Sequence, residues 1–135
     1  MPPLILLDTN AVVFDALQPD RLSRAARKKI EQGQTSAGLA CSDISLWEIA
    51  MLISKDRLDP GVPALEFLNL ALAARSIEVL PIGPEIADLS ASFGSKLKLD
   101  PADRLIAATA LHHRATLITT DRNLKRANLP ITILS

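Results

Sequence analysis

The sequence predicts an α/β fold: a small, mainly parallel sheet of four to five strands, flanked by helices. Three observations lead there. Short runs of strand formers alternate with stretches of helical periodicity along the 135 residues. Those runs are continuously apolar, as strands covered on both faces are. No repeat, low-complexity tract or linker interrupts the alternation, so residues 1–135 are expected to form one domain.

The elements follow in order. Pro3–Leu7 is an apolar run that stops at Asp8, and "DTN" opens a helical pattern carrying Ala11, Val12, Phe14 and Ala16. "RLSRAARKKIEQG" reads as a basic amphipathic helix ending at Gly33. Ser36–Ser42 is a second strand, and Ser42 is placed to cap the helix "DISLWEIAMLIS". Pro63 leads into "VPALEFLNLALAARS", another helix, before a third strand at Ile77–Ile82. "PEIADLSASFGSKL" is a helix with Pro84 near its first position. The helix opened by "DPADR" follows, then a strand at Ala115–Thr120, a short helix "DRNLKRA" and a last strand at Ile131–Leu134.

Composition bounds the function. Formal net charge is zero, from 15 basic and 15 acidic residues, so a nucleic-acid partner has to be met by a local patch. Cys41 is the one cysteine; it excludes an intrachain disulfide, fits a reducing compartment and is expected to be a small buried hydrophobe. "MPPLILLD" is too short to span a membrane and lacks a signal peptide's basic leader. These features lead to the expectation of a cytoplasmic protein with no membrane partner.

The chemistry sits in the acidic residues. Asp8 and Asp121 follow strands one and four, Glu48 lies in the helix after strand two, and Asp100 and Asp103 open the "DPADR" helix. Strand ends and the helix starts beyond them share one edge of a parallel sheet, where ligands bind. Each acid also has a structural reading. Asp8 and Asp121 are suitable N-caps. Asp100 is read mainly as a cap, with Pro101 at the first helical position and Asp103 two residues on. Glu48 resists that reading, being the only charge between Ile44 and Ser54. Asp8, Glu48, Asp103 and Asp121 meeting at one point would repel and need a partner to stay ionised. A hard divalent cation with oxygen ligands, Mg²⁺ or Mn²⁺, is the natural one, and it would supply phosphoryl chemistry. Arg104 and Arg122 adjoin two of these acids, as carboxylate partners or phosphate contacts.

"LLDTN", "SLWEIA", "DPADRLIAATAL" and "LITTDRNL", in this order across essentially the whole chain, resemble PIN-domain ribonucleases, and within them the VapC-type toxins of type II toxin–antitoxin pairs. The resemblance implies a PIN-like three-layer sandwich and a catalytic, metal-binding quartet of Asp8, Glu48, Asp103 and Asp121. Thr9 and Asn10 match the polar turn after the first aspartate, and Thr120 the hydroxyl before the last. It further implies Mg²⁺ or Mn²⁺ dependence, endonucleolytic hydrolysis of RNA by metal-activated water, a homodimer and a VapB-like antitoxin partner. Where many relatives carry a bulky aromatic this chain has Ala102. The stretch Leu97–Leu99 lacks the histidine found in some, and "ANLPITILS" lacks an aromatic.

Two competing readings differ in class: a catalytically silent PIN-fold binding module, and a receiver-like signalling domain. The second would want an acidic pair at strand one, an aspartate after strand three and a lysine after strand five; the chain offers Asp8 alone, "PIG" and Ser135. His112, His113 and the basic run Arg24–Lys29 are read as structural, and Trp47 as core or interface. Val12, Val13, Phe14, Leu17, Trp47, Met51, Phe67 and Leu70 are expected to exceed what a small sheet can cover, leaving a face for a partner helix.

Overall fold

The computed structural model describes residues 3–135. Five strands, β1 (Ile5–Leu7), β2 (Leu39–Ser42), β3 (Glu78–Leu80), β4 (Thr116–Ile118) and β5 (Ile133–Leu134), form one sheet in the order β3-β2-β1-β4-β5. Every pairing is parallel. Seven α-helices connect them: α1 (Thr9–Leu17), α2 (Arg24–Gln32), α3 (Asp43–Ser54), α4 (Ala64–Arg75), α5 (Pro84–Ser92), α6 (Pro101–His113) and α7 (Arg122–Arg126).

Strand parity divides the core. Ile5, Leu7, Leu39, Cys41 and Ile118 point to one face, where Ala11, Ala26, Ile30, Ile49 and Phe67 of α1 to α4 meet them. Leu6, Ala40 and Leu117 point to the other, against Ile106, Ala107 and Ala110 of α6 and Leu124 of α7. Leu6, Leu7, Ile49 and Leu117 are fully buried, each stabilising the fold by about 1.5–3 kcal/mol. Two buried faces explain the largely apolar runs at the central strands β1, β2 and β4, which are buried throughout, whereas the edge strands β3 and β5 are partly exposed. Arg75 fastens α4 to α1 through two 3.1 Å hydrogen bonds to the buried carboxylate of Asp15.

Several boundaries differ from the sequence expectation, each for a local reason. The helix expected from Arg21 begins at Arg24, because the Ser23 hydroxyl caps Ala26 N–H at 3.0 Å and Pro19–Arg21 form a separate 3₁₀ turn. β2 begins at Leu39, not Ser36. Residues 33–37 continue as a π-helical turn, closed by Gly38 N–H on the Gly33 carbonyl at 2.7 Å. Gly38 then turns into the strand at φ +92°, and a Cβ on Gly33 would stand 2.7 Å from Leu39 Cδ2. α5 stops at Ser92, with Gly94 at φ +74°, so residues 93–100 form a loop where a longer helix was expected. The strands expected at Ile77–Ile82, Ala115–Thr120 and Ile131–Leu134 are each trimmed at their ends.

The expected apolar surface is smaller. Val12, Val13 and Phe67 belong to the core, because α1 and α4 pack on the sheet face through them. Among the described residues the large apolar side chains left exposed are Leu17, Trp47, Leu65 and Leu70. Among the described residues no helix is long and apolar enough to cross a membrane.

Candidate active site

Parallel pairing brings the carboxyl ends of β1, β2 and β4 to one edge. A cleft of about 280 Å³ opens there, lined by Asp8, Thr9, Asn10, Glu48, Asp100, Asp103 and Asp121, with Trp47, Met51, Leu52, Lys55 and Arg57 on one wall. All four acids of the expected quartet therefore face one space, together with Asp100. Thr120, Arg104 and Arg122 are not among the lining residues.

Asp8 is the first residue past β1, and its backbone N–H extends the ladder to the Ile118 carbonyl at 3.1 Å. It caps α1 by accepting from Ala11 N–H at 2.7 Å. The β1–β4 register, Leu7 opposite Ile118, sets Thr119 opposite Asp8, and the Thr119 hydroxyl donates to Asp8 Oδ2. Thr119 Oγ1 in turn accepts from Asp121 N–H at 3.0 Å. One buried hydroxyl thus ties both strand-end aspartates. Thr120, the hydroxyl expected from the resemblance, does not line the cleft.

Glu48 is held by Thr9, whose hydroxyl donates to Glu48 Oε1 and stands 3.0 Å from the buried Ser45 Oγ. Ser45 precedes Glu48 by three residues on the same face of α3. Asp100 caps α6 by accepting from Asp103 N–H at 2.8 Å, with Pro101 next in line. Asp121 caps α7 through Asn123 N–H at 2.7 Å and Leu124 N–H at 3.4 Å. Capping thus occupies one oxygen each of Asp8, Asp100 and Asp121 and leaves further lone pairs for other contacts.

The cluster is electrostatically unfavourable without a cation. Burial pushes the Asp8 carboxyl up from 3.8 to about 6; hydrogen bonds from Thr119 and Ala11 oppose the rise and the charges of Asp121 and Glu48 add to it. Burial also raises Glu48, against the Thr9 hydrogen bond and with repulsion from Asp100 and Asp121. Asp103 is pushed up to about 8 by burial, by repulsion from Asp100 and Asp121, by a hydrogen bond shared with Asp121, and by Glu48. Among the described residues no three His, Cys, Asp or Glu side chains stand close enough together to hold a metal ion as they are. The carboxylate and hydroxyl oxygens gathered on the acidic side of the cleft are the donor type that suits a hard divalent cation.

Arg104 is engaged away from the acids. Its Nη2 and Nε donate to the carbonyls of Leu97 at 2.6 Å and Leu99 at 3.2 Å, pinning the loop before α6. Arg122 is exposed at the start of α7. Lys55 and Arg57 are cleft residues the sequence reading passed over. Lys55 had a signal, since Glu48, Met51, Leu52 and Lys55 share one helical stripe. Arg57 had none, because it enters through a left-handed turn at Asp56, φ 55°.

Residues 5–129 match the PIN domain family. The chain belongs to that family. Over 131 residues this PIN domain is 35% identical to Ribonuclease VapC22 of Mycobacterium tuberculosis, covering 96% of this chain and 97% of that one. Among solved structures it is similar to VapBC2 from Rickettsia felis, determined bound to a promoter DNA fragment, with TM-score 0.75, 20% identity and 96% of both chains covered. It is also similar to DNA-bound VapBC from Salmonella typhimurium, with TM-score 0.72, 20% identity, and 98% and 97% covered. The receiver-like alternative falls with the family assignment.

Proposed function

We propose that this PIN domain is a divalent-metal-dependent endoribonuclease, the toxin of a toxin–antitoxin pair, working as one unit over residues 1–135. The observation that carries the reading is the convergence of five carboxylates on one cleft at the carboxyl edge of the sheet. The 35% identity to a ribonuclease over nearly the whole chain supports the substrate class. Asp8 and Asp103 would hold Mg²⁺ or Mn²⁺, with Glu48 and Asp121 binding directly or through water. Bound there, such an ion lowers the pKa of a water ligand and polarises a phosphoryl oxygen.

The chain's own residues do the rest. Thr119 fixes the rotamers of Asp8 and the α7 entrance, and Thr9 with Ser45 fixes Glu48. Asp100 sets the direction of α6 and so of Asp103. Lys55 and Arg57 put positive charge on the wall beside the acids, where an RNA phosphate would need it. The reaction is in-line hydrolysis: a water oxygen bonds to phosphorus as a ribose oxygen leaves.

The partners proposed are a VapB-like antitoxin and a second copy of the chain, and the compartment the cytoplasm. Incubating the protein with structured RNA in Mn²⁺, Mg²⁺ or EDTA tests the reading. Cleavage is expected with either ion and not in EDTA. No cleavage in any condition returns the chain to a silent binding module.

A further inference from the structure

A second concavity, of about 360 Å³, lies between the loop before α6 and the helix α7, lined by Lys96, Leu97, Lys98, Asn123, Arg126 and Ala127. Three cations and an amide face it and no carboxylate does, in a chain of zero net charge. Among the described residues the ion pair is Arg75–Asp15, so these three cations are not spent on partners there. Lysines on a loop are ordinarily solvated, and an arginine in a last helical turn suits the dipole. Convergence from two separate segments on one concavity is what those readings leave unexplained.

Both segments also build the acid cleft. Lys98 precedes Asp100 by two residues, within ~7 Å of chain. Arg126 follows Asp121 by five, ~7.5 Å along α7. The loop is not free to wander, because Arg104 grips the carbonyls of Leu97 and Leu99 on either side of Lys98. Strand order sets α7, after β4, and α3, after β2, on opposite sides of Asp8. The basic concavity and the Lys55–Arg57 wall therefore flank the acids.

We propose that the Lys96–Lys98–Arg126 concavity is a phosphate-binding subsite that holds the RNA backbone roughly two or three nucleotides from the bond being cut, at ~3.4 Å per nucleotide of stacked strand. It rests on the ribonuclease reading and deepens it. A strand held at both flanks lies across the acid cleft without any base being read. Arg104 is a positioning residue for this subsite, and Asn123 an uncharged donor at its edge.

The test measures binding of a labelled 12-nucleotide single-stranded RNA by fluorescence anisotropy, in EDTA, across a salt series. The variant is Lys96→Ala/Lys98→Ala/Arg126→Ala, three exposed positions. The comparison variant removes the same charge from α2, Arg24→Ala/Arg27→Ala/Lys28→Ala. Losing three phosphate contacts should flatten the log Kd against log salt slope by about 2, and weaken low-salt binding about ten-fold or more. The α2 variant should keep the parental slope. If the concavity variant keeps the parental slope while the parent cuts RNA in Mn²⁺, the subsite is wrong and the ribonuclease reading stands. Equal flattening in both variants also overturns it, since general charge then explains the binding. A parent that neither binds nor cuts RNA overturns both.

Discussion

Replacing Asp8 with Asn should stabilise the metal-free protein at pH 8. Asp8 is 3% exposed and its folded pKa stands at about 6 against 3.8. A carboxyl raised in the folded state contributes stability that is fully present below its unfolded pKa and lost as pH rises through the folded one. The parent therefore gives up on the order of 3 kcal/mol from this group between pH 4 and pH 7. Asn escapes that loss and can still cap Ala11 N–H. It offers an amide where Asp8 Oδ2 accepted the Thr119 proton, a mismatch costing about 1 kcal/mol. The net gain at pH 8 is about 2 kcal/mol, or on the order of 8 °C at ~4 °C per kcal/mol for a chain of this size. At pH 4 the gain disappears. Saturating Mg²⁺ should invert the order, since ~100 times the dissociation constant adds ~2.7 kcal/mol to a protein that keeps its ligand and less to one that lost it. Thermal melts of both proteins at pH 4 and pH 8, in EDTA and in Mg²⁺, measure all four values. A parent more stable than the Asn variant at pH 8 in EDTA would refute the claim that the cleft holds an uncompensated buried charge.

Other consequences are separable. Thr119→Val leaves Asp121 N–H and Asp8 Oδ2 without their shared hydroxyl, so it should cost about 1–3 kcal/mol and lower RNA cleavage more than that loss of folded protein explains; chemical denaturation beside a cleavage assay reads both. Arg75→Ala strands the buried Asp15 carboxylate, and urea unfolding should show a loss of about 3 kcal/mol with the cleavage rate of the folded protein unchanged. Light scattering at micromolar concentration should return a dimer mass, and a monomer would remove the proposed self-association.

Much of this was readable in the residues because burial on two faces writes a distinctive pattern. Short, mainly apolar runs marked the strands, and an aspartate stopping a run marked Asp8 and Asp121 as edge residues. Glu48 stood out as a lone charge in an apolar helix. The losses share a cause, dependence on relations that one segment does not encode. Thr119 rather than Thr120 faces Asp8 because of the register between β1 and β4, and "TT" alone is silent on it. Arg104 binds backbone carbonyls, which leave no trace in sequence. The basic concavity required two loops to meet. The burial of Val12, Val13 and Phe67 is not legible in the sequence, because the area that α1 and α4 cover is set by packing.

On the proposed function, the acids at the mouth of α6 hold a catalytic metal and do more than cap a helix. RNA cleavage in Mn²⁺ by Asp103→Asn, measured beside Asp100→Asn and the parent, tests it most directly. Asn caps a helix as well as Asp, so Asp100→Asn should retain most of the parental rate. Asp103→Asn should lose ~10²–10³-fold or more while its metal-free melting temperature at pH 8 stays level or rises, because a raised carboxyl has been removed. An Asp103→Asn protein that cuts RNA at close to the parental rate would leave Asp103 a helix-start residue with no metal to hold.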